Sequence, residues 1–343
     1  MQVSNGAVSE NAIVTITLND VVEENIYNRD AFLQTQEEVN EFGANNYTRI
    51  NGMFFIGKWE NNGYSDIVDL SPLQTLNYVR DGLYIQFNEL LTTTSGLENL
   101  EHVIRFEVRS NPALVNVVGF NNLEDIWAGV SIRDNSVLSN FDGLSNLKTI
   151  GSSLFLNKNY SMSNLDWLSN LTSIDHGLSI GFSPLITNLN GLSNLVYLGD
   201  DLSLTHIDSL NDLSGLQNLT ATLGGLSIAE NDSLTTLNGL QNLTFTTYLL
   251  IYGNDVLTDL TPLLNTSSLR SGFEISLNDS LIDLSFLNNL TNMGGSTSIL
   301  NNPNLESLIG LSNLTEAGSY FFVRGNDRLT DFCDLQHAFT VGR

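Results

Sequence analysis

The sequence has few of the residues that cross-link proteins or bring them to anionic surfaces. It has 343 residues and one cysteine, Cys333, which we interpret as a small apolar residue of the last repeat, so no disulfide can form within the chain. Lysine and arginine number 13 against 38 acidic residues, giving a net charge of −25. Nucleic acid is therefore not an expected partner, because phosphate contacts need clustered cations, and anionic membrane surfaces are disfavoured for the same reason.

Long apolar runs are also missing. The N-terminal stretch MQVSNGAVSENAIVTITLND lacks a basic region and an uninterrupted apolar core, so it does not read as a signal peptide. No stretch reaches the roughly 18 apolar residues that a membrane span needs, and we expect no membrane insertion. We interpret residues 340–343 as a truncated tail, and the chain as one module of a larger exported protein.

What fills the sequence instead is a repeat of about 24 residues. Its clearest copy, LTATLGGLSIAENDSLTTLNGLQNL, covers 219–243 and closes on a leucine. The closing leucines are Leu76, Leu100, Leu123, Leu147, Leu171, Leu195, Leu219, Leu243, Leu269, Leu290 and Leu314. A constant period of this length predicts a solenoid in which each repeat is one coil.

Two segments of each coil have the pattern of extended chain. They are Leu-x-Ile, as in Leu226-Ser-Ile228, and Leu-x-x-Leu, as in Leu234-Thr-Thr-Leu237. Pairing of each segment with its copy in the next coil gives parallel sheets. The sequence therefore predicts a mostly β, right-handed parallel solenoid of about twelve leucine-rich coils over 47–339.

Residues 1–46 are predicted to close the N-terminal end of this solenoid. Alternation in Ala12–Leu18 favours a strand, and a helix over 33–43 is indicated by the capping box of Thr35 and Glu38 and by the stop at Gly43. Leu33, Val39 and Phe42 would lie on one side of that helix and cover the first coil, which otherwise leaves its core facing water.

A column of asparagines follows the Leu-x-Ile segment. Its members are Asn88, Asn111, Asn135, Asn159, Asn231, Asn254, Asn278, Asn302 and Asn326. An inward amide at this position can bond the backbone of its own turn and of the neighbouring coil, so we interpret the column as a structural ladder. Ser183 and Ile207 interrupt it, and we expect the turns of those two coils to differ.

These repeats resemble a known group of proteins. GLSIAENDSLTTLNGLQNLT and the entry segment LQTQEEVNEFGANNYTRINGMFFIG are similar to the leucine-rich, receptor L-domain-like repeats of secreted surface proteins of marine Bacteroidetes. The resemblance covers about 33–339. It implies an extracellular or cell-surface module for recognition or adhesion, with a glycan or a surface protein as partner and no catalytic residues.

No metal or cofactor is expected. His102, His176, His206 and His337 fall in different coils without metal-ligand spacing. Aspartate pairs four residues apart, such as Asp255 and Asp259, could offer oxygens to calcium, but turn capping is the simpler interpretation. The numerous Asn-x-Ser/Thr sequons arise from the repeat itself and are poor indicators of glycosylation.

The candidate binding surface is the outward side of the Leu-x-Ile sheet. Alternate residues of a strand point outward, and the outward columns combine aromatic and cationic side chains with a serine-rich centre. The predicted ligand-binding residues are Tyr84, Arg109, Arg133, Phe155 and Tyr252. Aromatic side chains around a shallow polar strip suit contact with a sugar or a protein.

Two alternatives stay open at this stage. Arg109 and Arg133 lie near Glu107 on adjacent predicted strands, which would suit a lyase acting on an acidic polysaccharide. Ser179, Ser203 and Ser227 stack in one column, as in an ice-binding face, although such faces use threonine in register.

Overall fold

The chain winds into parallel coils, each of which adds a strand to one long sheet. The computed structural model describes residues 24–59, 62–316 and 318–336. In that part, thirteen strands pair in parallel and in chain order, and we refer to them as the long sheet. Their bounds are Ala31–Leu33, Phe54–Gly57, Gly82–Gln86, Arg105–Arg109, Val130–Arg133, Leu154–Asn157, Leu178–Gly181, Leu202–Thr205, Gly225–Ala229, Tyr248–Tyr252, Gly272–Ser276, Ser296–Leu300 and Tyr320–Arg324. The predicted parallel β-solenoid is confirmed, while the predicted strand at 12–18 lies outside the described residues.

The Leu-x-Ile pattern forms these strands because its two apolar residues share one face. Leu154 and Leu156 are fully buried, whereas Phe155 between them is exposed. The same register passes from coil to coil, with Leu154 opposite Leu178 and Phe155 opposite Ser179. The inner face of the long sheet is thus a continuous leucine-rich core.

The prediction that Leu-x-x-Leu forms a second sheet is wrong. Leu234 and Leu237 are both fully buried, yet residues three apart point to opposite faces of a strand. The segment therefore bends, and only an isolated bridge joins Thr236 to Asp259. Short 3-10 helices follow such segments in many coils. Their bounds are Ser71–Leu73, Asp142–Leu144, Asp166–Leu168, Asn190–Leu192, Ser214–Leu216, Thr261–Asn265, Ser285–Leu287 and Cys333–Leu335.

Further parallel strands, which the sequence did not reveal, come just before the long-sheet strands. Four of them, Asp125–Ile126, Thr149–Ile150, Ser173–Ile174 and Tyr197–Leu198, form what we call the short sheet. Ile26–Tyr27, Arg49–Ile50 and Tyr78–Val79 form a similar group, and Ser268–Leu269 pairs with Asn292–Met293. With two residues each, they are too short to show alternation in a sequence.

A helix covers the N-terminal end of the coils. It spans Gln36–Ala44, and the predicted capping box is present, since Thr35 and Glu38 exchange side-chain and backbone hydrogen bonds. Val39 is fully buried, as predicted. The prediction that Leu33 lies on the same side of the helix is wrong, because Leu33 belongs to the strand Ala31–Leu33. The long sheet thus begins ahead of Tyr47. No helix in the described ranges is long and apolar enough to span a bilayer.

Candidate functional site

The outer side of the long sheet brings most of the predicted ligand-binding residues together. Tyr84, Arg109, Arg133 and Phe155 lie on four successive strands, where Tyr84 is opposite Glu107 and Arg109 is opposite Arg133. Tyr252 lies four strands beyond Phe155, about 19 Å away at ordinary strand spacing. The predicted set is therefore one group of four with a distant fifth member on the same face.

An aromatic stack occupies the N-terminal end of this face. Rings of Phe32, Phe55 and Tyr84 on three consecutive strands lie parallel, with centroids 5.0 Å and 4.4 Å apart. Trp59 covers Phe55 at 4.3 Å. Phe55 is only 5% exposed, whereas Phe32 and Trp59 are each 43% exposed. We refer to Phe32, Phe55, Trp59 and Tyr84 as the aromatic stack.

Phe55 and Tyr84 of the aromatic stack belong to the predicted outward columns, although only Tyr84 was among the predicted ligand-binding residues. Sequence reasoning missed Phe32 and Trp59 altogether. Phe32 precedes the predicted solenoid, although its position between Ala31 and Leu33 has the alternation of a strand. Trp59 lies in the insertion after the strand Phe54–Gly57, and no repeat position predicts its contact with Phe55.

Charged side chains adjoin the aromatic stack. Arg133 donates to Glu107 at 3.3 Å, and the Arg109 guanidinium lies 3.7 Å from Asp134 and 5.6 Å from the ring centre of Phe87. Burial raises the pKa of Tyr84; the nearby Arg105 charge opposes this, and Glu107 and Asp81 add to it. The phenol therefore remains a hydrogen-bond donor at neutral pH.

The outer face is shallow and grooved along its length. A groove of about 300 Å³ adjoins the aromatic stack, one of about 330 Å³ lies between Ser203 and Leu250, and one of about 730 Å³ lies between Ser298 and Phe322. Serines form the floor between the first two, with Ser179 opposite Ser203 and Ser203 opposite Ser227. Such a surface can accept an extended contact but encloses no small molecule.

The asparagine ladder holds the turns at one edge of this face. Asn135 Nδ2 donates to Val108 O at 3.0 Å and to Asn159 Oδ1 at 3.3 Å, while Asn135 Oδ1 accepts from the backbone and side chain of Asn111, both at 3.1 Å. The same pattern recurs from Asn88 to Asn159 and from Asn231 to Asn326, each asparagine being 9% exposed or less. These amides donate to carbonyls of the long-sheet strands and so tie each turn to the sheet of the preceding coil.

The turns at the gap in the ladder keep the common geometry, so the expectation that they differ is wrong. Phe182 and His206, the residues before Ser183 and Ile207, have φ of 50° and 54°, like their equivalents in neighbouring coils. Their backbone N–H groups donate to Thr205 O and Ala229 O, both at 3.0 Å. These bonds between coils fix the left-handed residue whether or not an asparagine follows it.

A second ladder of asparagines, on the exposed surface, was not foreseen. Each Nδ2 donates to a backbone carbonyl of the preceding coil at 2.7–3.0 Å. Its members are Asn99, Asn122, Asn146, Asn170, Asn194, Asn218, Asn242, Asn265, Asn289 and Asn313. The bond explains the asparagine before the leucine in most repeats, and it therefore accounts for the asparagine of the sequon at Asn170. The recurrence of these asparagines once per repeat was the signal in the sequence that could have revealed the ladder.

Three of the aspartates and two of the histidines considered for metal binding make contacts within the fold. Asp212, Asp259 and Asp283 accept from the backbone N–H two residues on, at 2.8–3.0 Å, and so cap 3-10 helices. Rings of His102 and His206 stack on Tyr78 and Phe182. Within the described ranges, no group of three or more His, Cys, Asp or Glu side chains is arranged to hold a metal. His337 lies outside those ranges.

Cys333 is exposed, contrary to its interpretation as an apolar core residue. It is the first residue of the 3-10 helix Cys333–Leu335, a position that points away from the core in other coils as well. A hydrogen bond to the Asp331 carboxylate raises the pKa of the thiol, which disfavours the reactive thiolate.

Coils of about 24 residues, one long parallel sheet and inward leucines define a leucine-rich-repeat β-solenoid. No protein-family model and no curated protein sequence matches the chain. Among solved structures, the chain is similar to an internalin (inlF) from Listeria monocytogenes, with 24% identity, 89% of this chain and 86% of that chain covered, and a TM-score of 0.48.

Proposed function

We propose that this chain is a non-catalytic recognition module that binds a partner protein through the outer face of the long sheet. The observation that carries the proposal is the aromatic stack beside the Glu107–Arg133 pair on a sheet held by backbone hydrogen bonds. Tryptophan, tyrosine and arginine are the side chains that most often dominate the energy of protein interfaces.

The size of the face also favours a protein. Thirteen strands spaced by about 4.8 Å extend about 58 Å, and a width of about 15 Å gives roughly 900 Å². A stable protein interface buries about 800 Å² on each partner. The shallow grooves match the surface of a partner protein better than a small ligand. The ion pairs would determine the orientation of the bound partner more than they would increase its affinity.

The charged cluster does not favour the lyase alternative. A lyase needs free cations to neutralise a uronate, whereas Arg133 and Arg109 already lie beside Glu107 and Asp134. Incubation with alginate or pectate should release no unsaturated product. Release of an unsaturated product by the wild type, and its loss in Arg133→Ala, would support the lyase hypothesis instead.

In keeping with the resemblance to receptor L-domain-like surface proteins, we place the module outside the cell or at its surface, as part of a larger exported chain. A net charge of −25 and a high content of Asn, Ser and Thr keep the surface soluble, which suits such a setting.

Site-specific photo-crosslinking tests the proposed face. A benzoylphenylalanine at position 155 lies on the outer face, whereas the same residue at the exposed position 163, beyond the asparagine ladder, serves as the control. Proteins captured from extracts of cells in the natural setting are purified and tested again singly. The proposal expects crosslinks of the purified partner at 155 and not at 163; equal yields at both positions would contradict it.

A further inference from the structure

Trp127 stands on a different surface and is the most exposed large apolar side chain described, at 71%. It follows the strand Asp125–Ile126 of the short sheet, at the bend that leads to the long sheet. Its ring makes no stacking or cation contact with another described residue. An indole that contributes so little to packing is not explained by the stability of the fold.

The next coil leaves an open space beside the indole. Gly151 occupies the position equivalent to Trp127, since its N–H donates to Ile126 O in the short-sheet register. A Cβ at Gly151 would lie 2.2 Å from Trp127 O, so no larger side chain fits there. Together with Asp125, Thr149 and Asp175, these two residues line a groove of about 390 Å³.

The polar groups of this groove are mainly hydrogen-bond acceptors. Asp125 and Asp175 are both exposed, and Thr149 Oγ1 donates to Asp125 Oδ1 at 2.5 Å. That bond fixes the orientation of the Asp125 carboxylate and leaves its second oxygen for another donor. Asp175 approaches from one coil further along, so the two carboxylates lie on either side of the Gly151 floor.

We propose that Trp127, Asp125, Thr149 and Asp175 form a binding site for a neutral sugar residue of a glycan. A pyranose offers an apolar C–H face to the indole and hydroxyl donors to the two carboxylates, which matches both features of the groove. Anionic sugars are excluded, because each carboxylate would face a like charge. The site is separate from the protein-binding face and does not depend on that proposal.

The test uses the whole chain with a panel of neutral hexasaccharides of gluco, galacto and manno configuration, beside alginate and pectate fragments as anionic probes. Binding is followed by calorimetry. The proposal expects at least one neutral member to bind and the anionic fragments not to bind. Trp127→Ala should weaken that binding about tenfold or more, the factor that one buried aromatic ring supplies.

Further variants separate the site from general effects. Asp175→Asn keeps the size of the side chain and should reduce affinity severalfold, while Tyr160→Ala removes an aromatic residue that is 47% exposed outside this groove and should change nothing. Circular dichroism and melting temperature should stay unchanged in Trp127→Ala, since the ring packs on so little. Absence of binding to every neutral probe, or equal binding by wild type and Trp127→Ala, would overturn the proposal; crosslinking at position 155 is unaffected by either result.

Discussion

At the scale of single residues, the buried asparagines join successive coils to one another. Each amide joins its own turn, a long-sheet carbonyl and the next asparagine, so one side chain serves three coils. Their inward column could be read from the sequence, but their partners could not, because those partners lie about 24 residues away. The second, exposed ladder at Asn170 and its equivalents was hidden for the same reason.

Asn135→Ala is expected to be among the most damaging single changes. It removes the acceptor of the Asn111 backbone N–H and one donor to Val108 O in a buried site, and an unsatisfied buried group costs about 1–3 kcal/mol. We expect urea denaturation to show a loss of about 3 kcal/mol. Asn170→Ala in the exposed ladder should cost only about 1 kcal/mol, and an equal loss in both variants would contradict the distinction.

Asp255 should destabilise the folded chain at neutral pH. Partial burial raises its pKa, and the carboxylates of Asp279 and Asp232 in adjacent coils raise it further. The folded chain therefore holds this proton more tightly than the unfolded chain, and stability falls as pH rises from the ordinary value of 3.8 through the raised pKa. Asp255→Asn should raise the melting temperature at pH 7 in low salt and have no such effect at pH 3.

Asp259 is the matched comparison, with the opposite sign. Burial acts to raise its pKa, but hydrogen bonds from Thr261 and Thr236 outweigh that effect and lower the pKa. Its contribution to stability is present at neutral pH and disappears as pH falls through the lowered value. Asp259→Asn should therefore lower the melting temperature at pH 7; a gain in that variant, or a loss in Asp255→Asn, would refute this account of the acidic turns.

At the scale of elements, the sequence predicted the secondary structure that follows from a pattern within one coil. It missed the features that depend on contacts between neighbouring coils. Leu-x-Ile strands and the Thr35–Glu38 capping box follow from local patterns, and both are present. The two leucines of Leu-x-x-Leu would point to opposite faces of a straight strand. Because both are buried in the structure, the segment must bend. Trp59 was missed because it lies in an insertion that has no counterpart in other coils.

Glycines in the 3-10 edge make the close stacking possible. A Cβ at Gly191 would lie 1.7 Å from Leu165 O of the preceding coil, so Gly191→Ala must force the two coils apart. We expect a loss of about 1–3 kcal/mol or more, measured by urea denaturation. Gly225→Ala is the control, because its nearest neighbour would be 3.4 Å away, and it should be close to neutral. Similar losses in both would contradict the assignment of the cost to the contact with Leu165 O, because the lower entropy of the unfolded chain favours alanine at both positions.

At the scale of the whole molecule, the coils build a scaffold that carries the outward columns on which the proposed recognition rests. Each coil contacts its neighbours, so the sheet extends without a new core, and side chains on its outer face can vary freely. The face was predictable from alternation alone. The clustering of aromatic side chains at one end of the face was not predictable, because the aromatic stack combines Phe32, which precedes the predicted solenoid, with Trp59 from the insertion.

The affinity of the partner captured at position 155, measured by surface plasmon resonance, tests the central claim most directly. Tyr84→Ala and Trp59→Ala should each weaken binding by about 2 kcal/mol or more, a factor of about thirty, because both remove rings from the aromatic stack. Tyr160→Ala should bind like the wild type, and all three variants should keep the circular dichroism spectrum of the folded chain at the temperature of the measurement. Wild-type affinity in both stack variants would contradict the assignment of the outer face as the recognition surface.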